Sequence, residues 1–189
     1  MAATGIDPTV DFVFKRLFST EENEAILIHF LNGVLQFPEG RRISQVEFVS
    51  PVQDRETEDD KLTVVDVRVR DQADRLLVVE MQVIVTKAFC ERLLYYWARE
   101  YRDQIRAGED YSLLQPTILV CIVVGALFPE SAGHHRRFRV RSDDGAVLLT
   151  DRLEIHTLEL GKFTAPSGEF QCDLDRWSFF LKNGQWIDP

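Results

Sequence analysis

Apolar positions recur first at helical spacing. Val10, Phe14, Leu17 and Phe18 follow Asp7-Pro8, an N-cap residue before a proline suited to the first turn, and predict a helix ending near Phe18. Ser19 and Glu22 have capping-box spacing, and Leu27, Phe30, Leu31, Val34 and Leu35 form the stripe of a second helix, its end framed by Asn32-Gly33 and Pro38. The period then changes to two. Ile43 to Val49 reads as a strand stopped by Pro51. After an acidic connector, Gln53 to Asp60, the runs Leu62 to Val69 and Leu76 to Val83 alternate on either side of the polar stretch Arg70 to Arg75, which predicts a hairpin. Thr86 to Ala107 predicts a long helix with Phe89, Leu93, Tyr96, Trp97 and Tyr101 inward and Gly108 as its stop. Thr117 to Val124 is continuously apolar or β-branched, the pattern of a strand covered on both faces.

The pattern weakens after Pro129. His134 to Arg141 reads as a basic loop or edge strand, Val147 to Thr150 and Leu153 to Leu160 as short strands, and Leu174 to Leu181 as the start of a helix. Helix, helix, three strands with an antiparallel hairpin, long helix and buried strand together predict an α/β sandwich on a mixed sheet rather than a doubly wound fold. With no repeat or linker, one domain over residues 1–189 is expected.

Composition narrows the function. Lys and Arg number 22 against 31 Asp and Glu, a net charge of −9 that excludes holding nucleic acid by bulk charge, so any phosphate contact must be local. Cys90, Cys121 and Cys172 are three, far apart, and without a CxxC pair, which fits packed thiols in a reducing compartment. Met1 to Val10 has neither a basic nor an apolar region of a secretory signal. The longest apolar run, Ile118 to Phe128, is shorter than the roughly 20 residues that span a membrane. A cytoplasmic protein with no membrane partner is expected.

On the hairpin, Val65, Val67 and Val69 match Leu77, Val79, Met81 and Val83 as one apolar face, leaving Asp66, Glu80 and Gln82 on the other. A loop centred near Ala73 puts Asp66 opposite Glu80 and Val64 opposite Gln82. Like charges so opposed repel across roughly 4.5–5.5 Å. A divalent cation is the economical compensation, because Mg²⁺ prefers carboxylate oxygens and keeps sites for water and phosphate. Such an ion activates water and stabilises charge on a phosphoryl oxygen, and Gln82 is placed to hydrogen-bond that water. Alternating charges on a half-exposed hairpin are also what an ordinary wet face carries.

Asp66 and then Glu80-Met81-Gln82 closing an apolar strand resemble the D…ExK signature of the PD-(D/E)XK nuclease superfamily, with glutamine at the usual lysine position. The more specific resemblance is to its recombination-promoting nuclease and transposase branch. It rests on Asp11-Phe12-Val13-Phe14-Lys15-Arg16-Leu17-Phe18, Ile26 to Asn32, Val65-Asp66-Val67, Val78 to Gln82, Arg92 to Tyr96, Gly108 with Tyr111, Pro116 to Cys121, and Leu158 to Leu160. The resemblance implies a restriction-endonuclease-like mixed sheet flanked by helices with an αβββαβ core. It further implies an Mg²⁺- or Mn²⁺-dependent DNA endonuclease, associated with recombination or transposition, with Asp66 and Glu80 as metal ligands and Gln82 as the third catalytic position. Relatives commonly continue beyond the segment resembling Trp177 to Gly184, so a C-terminal extension is expected to be lacking.

Glutamine cannot supply the charge of the family's lysine, which shifts transition-state stabilisation onto the metal and other cations, with Lys15 and Lys61 as candidates. Asp11 and Glu24 are candidates for an extra acidic ligand, Asp11 being preferred. Arg92, Arg99, Arg102 and Arg106 fall within about 80° on a helical wheel, as a phosphate-tracking stripe or a salt-bridged face would; Lys15, Arg92 and Arg99 are the DNA-binding candidates. His134 and His135 with Arg136, Arg137, Arg139 and Arg141 form a patch for DNA or a loop offsetting acidic charge. His29 and His156 sit in apolar stretches, as packed histidines do. A single-site enzyme cutting both strands would favour a homodimer. The competing expectation is a catalytically inactive nuclease-like module that binds DNA or protein.

Overall fold

The computed structural model describes residues 5–49 and 65–187; the connector Gln53 to Asp60, Lys61 and the Leu62 start of the predicted hairpin lie outside the described residues. The elements follow the predicted order: α1 (Asp11–Phe18), α2 (Glu24–Leu35), β1 (Val46–Phe48), β2 (Val67–Asp71), β3 (Leu76–Gln82), α3 (Phe89–Arg102), β4 (Thr117–Val123), β5 (His135–Phe138), β6 (Leu153–Glu159) and α4 (Asp173–Asn183). The six strands form one sheet in the order β1-β2-β3-β4-β6-β5. β1, β2 and β3 are antiparallel, β3, β4 and β6 parallel, and β5 returns antiparallel to β6. The αβββαβ core is therefore present. Every residue of β4 is buried, as its unbroken apolar run requires, because it is paired on both sides and covered on both faces.

Each face of the sheet has its own core. Val67, Val69, Leu77, Val79, Ile118 and Val120 pack toward α1, α2 and α4. There the Phe18 and Phe30 rings lie 4.8 Å apart and Trp177 meets Phe30 edge-on at 5.4 Å. On the other face Leu76, Val78, Leu119 and Cys121 pack against Phe89 and Leu93 of α3. Cys90, Cys121 and Cys172 are free thiols. Among the described residues no helix is long and apolar enough to cross a membrane.

Several boundaries differ from expectation, each because a side chain hydrogen-bonds locally. Asp7 accepts from the Thr9 amide at 2.9 Å and from the Thr9 hydroxyl, so Asp7-Pro8 forms a turn and α1 begins at Asp11. The Ser19 hydroxyl donates back to the Lys15 carbonyl at 2.5 Å, closing α1, and α2 starts at Glu24 without a side-chain cap. β2 runs on through Asp71, whose carboxylate accepts from the Ala73 and Arg75 amides and pairs with the buried Arg75 guanidinium. α3 stops at Arg102, leaving Arg106 beyond the helix, with Arg99 and Arg102 drawn to Asp103. Val147 to Thr150 contributes only a single bridge, Leu148 to Arg141.

Asn32 does not fray α2. Its amide donates to the Ile43 carbonyl at 2.8 Å and accepts from the Ile43 amide at 2.9 Å, pinning the lead-in to β1 against the helix. Asn32→Ala strips both partners from a half-buried peptide and is expected to cost about 1–2 kcal/mol, read as a lower denaturant midpoint at unchanged slope.

Candidate active site

The hairpin has the expected register: Val67 lies opposite Val79 and Arg68 opposite Val78. Continued by one position beyond Val67, it sets Asp66, in a bend just ahead of β2, beside Glu80 near the carboxyl end of β3. Direct evidence of their proximity is the Met81 amide, which donates to Asp66 Oδ2 at 2.8 Å. Val65 does not share the face expected of it. Val65 packs with the α3-side cluster while Val67 and Val69 pack on the opposite face, so alternation breaks at Asp66. The bend turns that carboxylate to Met81 and to α1, where Lys15 Nζ lies 3.3 Å from Asp66 Oδ1.

Both carboxylates are withdrawn from water, the Asp66 side chain being 9% exposed and Glu80 9%. Burial, reinforced by the Asp66 charge, pushes Glu80 up to about 7 despite the attraction of Arg92. Burial also raises Asp66, against the pull of the Met81 amide and Lys15. Glu80 Oε2 is buried with no hydrogen-bond partner among the described residues. Among the described residues no three His, Cys, Asp or Glu side chains gather in a group able to hold a metal, so Asp66 and Glu80 stand there as a pair. Two carboxylates with an unsatisfied buried oxygen suit a hard cation that takes its remaining ligands from water and substrate.

The cations come from opposite faces of the sheet. Lys15 bridges Asp66 and Asp11, the latter at 2.8 Å. Asp11 is 70% exposed and paired with Lys15, so its acidic group is directed to that ammonium. Arg92, in the first turns of α3, lies over the Phe89 ring at 4.8 Å and donates to Gln82 Oε1. Gln82 in turn donates to the Ile84 carbonyl at 2.5 Å, so its amide is oriented by protein partners at both ends. Arg99, about two turns further along α3, pairs with Asp103 at 3.6 Å. Glu24 accepts from the Val46 amide and ties β1 to α2.

The basic segment at β5 is largely ion-paired. Arg136 meets Glu159 at 2.8 Å and Arg139 meets Glu154, both buried acids of β6. His156 is fully buried between Glu154 and His135. His29, expected to be packed, is exposed on α2 and accepts from the Trp177 indole at 2.9 Å. Sequence reading missed Glu154 and Glu159, because what lets each be buried is an ion pair with a residue distant in the chain, Arg139 for Glu154 and Arg136 for Glu159. For Glu154, burial alone would raise the carboxyl, but hydrogen bonds from His156 and Arg139 outweigh it and hold it near about 2, below the ordinary 4.5. Its folded value is depressed, so its stabilisation is complete above about 4.5 and is lost as pH falls through about 2. Glu154→Gln is expected to remove about 2 kcal/mol of acid sensitivity, seen by comparing denaturant midpoints at pH 6 and pH 3.

The sequence model of the PD-(D/E)XK nuclease family transposases matches residues 8–186 of the chain. No curated protein and no solved structure matches it.

Proposed function

This chain belongs to the PD-(D/E)XK nuclease family transposases, with their α/β restriction-endonuclease-like fold, and from that we propose that it is a divalent-metal-dependent DNA endonuclease acting in recombination or transposition. The observation that carries the reading is the pair of largely buried carboxylates, Asp66 just ahead of β2 and Glu80 on β3, the latter with an oxygen that no donor among the described residues satisfies. Asp66 and Glu80 would hold the ion, Mg²⁺ or Mn²⁺. When bound, it supplies Lewis-acid stabilisation of a phosphoryl oxygen and lowers the pKa of a water.

The remaining groups are this chain's own. Lys15, within reach of Asp66, provides positive charge of the kind that Gln82 cannot. Arg92 fixes the Gln82 amide and brings a second cation to the phosphate side of Glu80. Gln82, held in this way, positions a water or a phosphate oxygen by hydrogen bonding. Arg99 extends the contact to the DNA backbone along α3. Cutting both strands of a duplex with one such site per chain would favour a homodimer.

Metal binding tests the reading apart from catalysis. Mg²⁺ or Mn²⁺ is expected to raise the melting temperature of the wild type and to leave Asp66→Asn unchanged, while plasmid is nicked only by the wild type. A wild type that shows neither a thermal shift nor nicking, yet binds DNA equally with Asp66→Asn, would identify a non-catalytic module instead.

A further inference from the structure

A second surface leads away from the carboxylates along α3. Tyr95, Arg99 and Arg102 share one face of the helix and line a groove together with Ala98. A second groove, lined by Tyr101 and Arg102 at the end of α3, continues past the helix to Arg106 and Tyr111. From Arg92 to Arg102 the helix advances about 15 Å. Cations and rings alternate along this path, and the rings are open: Tyr95 is 51% and Tyr111 81% exposed. Tyr101 is braced by stacking on Trp97, at 4.8 Å and 20°.

Resting on the nuclease reading above, we propose that this path binds a single-stranded stretch of DNA and delivers it to Asp66 and Glu80. The charge pattern favours an unpaired strand over a duplex. The arginines are few and stand among Asp103, Glu109 and Asp110 on a chain of net charge −9, which gives no broad cationic face for two backbones. What the path does present is accessible aromatic area, which has value to bases only once they are unstacked from a partner strand. Arg99 and Arg102 contact phosphates, Tyr95 and Tyr111 stack on bases, and Arg92 joins the path to the carboxylates.

The test is anisotropy of a labelled deoxythymidine oligonucleotide with the full chain in chelator, against a duplex of equal length. Tighter binding of the single strand is expected. Tyr95→Ala with Tyr111→Ala should lose on the order of tenfold or more of it, and the Tyr→Phe pair should retain it. Arg99→Gln with Arg102→Gln should lower the salt slope by about 1.4. Equal affinity for strand and duplex, or tyrosine variants that bind as the wild type does, overturns the proposal. So does self-association through this face that excludes the oligonucleotide. Because the metal is chelated, the outcomes separate. A wild type that holds single strands through these rings but never cuts in Mg²⁺ keeps the groove and loses the nuclease. One that nicks plasmid but ignores the rings does the reverse.

Discussion

Glu80→Gln and Asp66→Asn are each expected to reduce metal-dependent cleavage by at least about 10²–10³-fold, the scale of losing a preorganised charge-stabilising group. Each substitution keeps the shape of the side chain and removes the charge that would hold the cation. The Met81 amide gives Asp66→Asn a remaining role, since the amide oxygen can still accept from it, so the hairpin should persist. Plasmid nicking with Mg²⁺ and Mn²⁺, alongside circular dichroism of each variant, checks the expectation. Cleavage that survives in both would remove the carboxylate pair from the chemistry.

The second large effect runs the other way. In chelator, Glu80→Gln is expected to stabilise the fold by about 3 kcal/mol at pH 8 and by little at pH 4. Glu80 has a buried oxygen without a donor among the described residues, and its carboxyl is raised from 4.5 to about 7, by burial first and by the Asp66 charge second. A group whose folded value lies above its unfolded one contributes stability that is complete below about 4.5 and lost as pH rises through about 7. Asp66 is raised as well, so the two titrate as a pair, with the same sign. Urea midpoints of wild type and variant between pH 4 and pH 8 check this; parallel curves would refute it. Stability gained by deleting a carboxylate proposed to hold the metal would be the usual trade between folding and activity.

Much of the site was readable in the residues because a hairpin is local. Two alternating runs and a short polar loop leave few registers that keep valine against valine, and the observed one follows. β4 was readable for a similar reason, since only a strand covered on both faces tolerates an unbroken apolar run. What escaped depended on partners distant in sequence or on local hydrogen bonding. Asp66 leaves its strand's alternation because Met81 and Lys15 claim its oxygens. Asp7 and Ser19 carry capping signals that are spent on a turn and on the end of α1. Glu154 and Glu159 look like surface residues until Arg139, just after the edge strand, and Arg136, within it, pair with them.

The four-residue separation between Asp71 and Leu76 has a bearing on how the molecule is assembled. A chain leaving the ribosome presents α1 first, then the β2–β3 hairpin, and only later α3, β4 and β6. Closing so short a loop is entropically cheap, which favours pairing of the two acids ahead of the parallel strands, whose contacts are more distant in the chain. At that stage Lys15 has already been synthesised and can neutralise Asp66, whereas Arg92 has yet to arrive. The order of emergence thus supplies the nascent hairpin with a counter-ion from behind it, and leaves the cation on the α3 side to be fitted last.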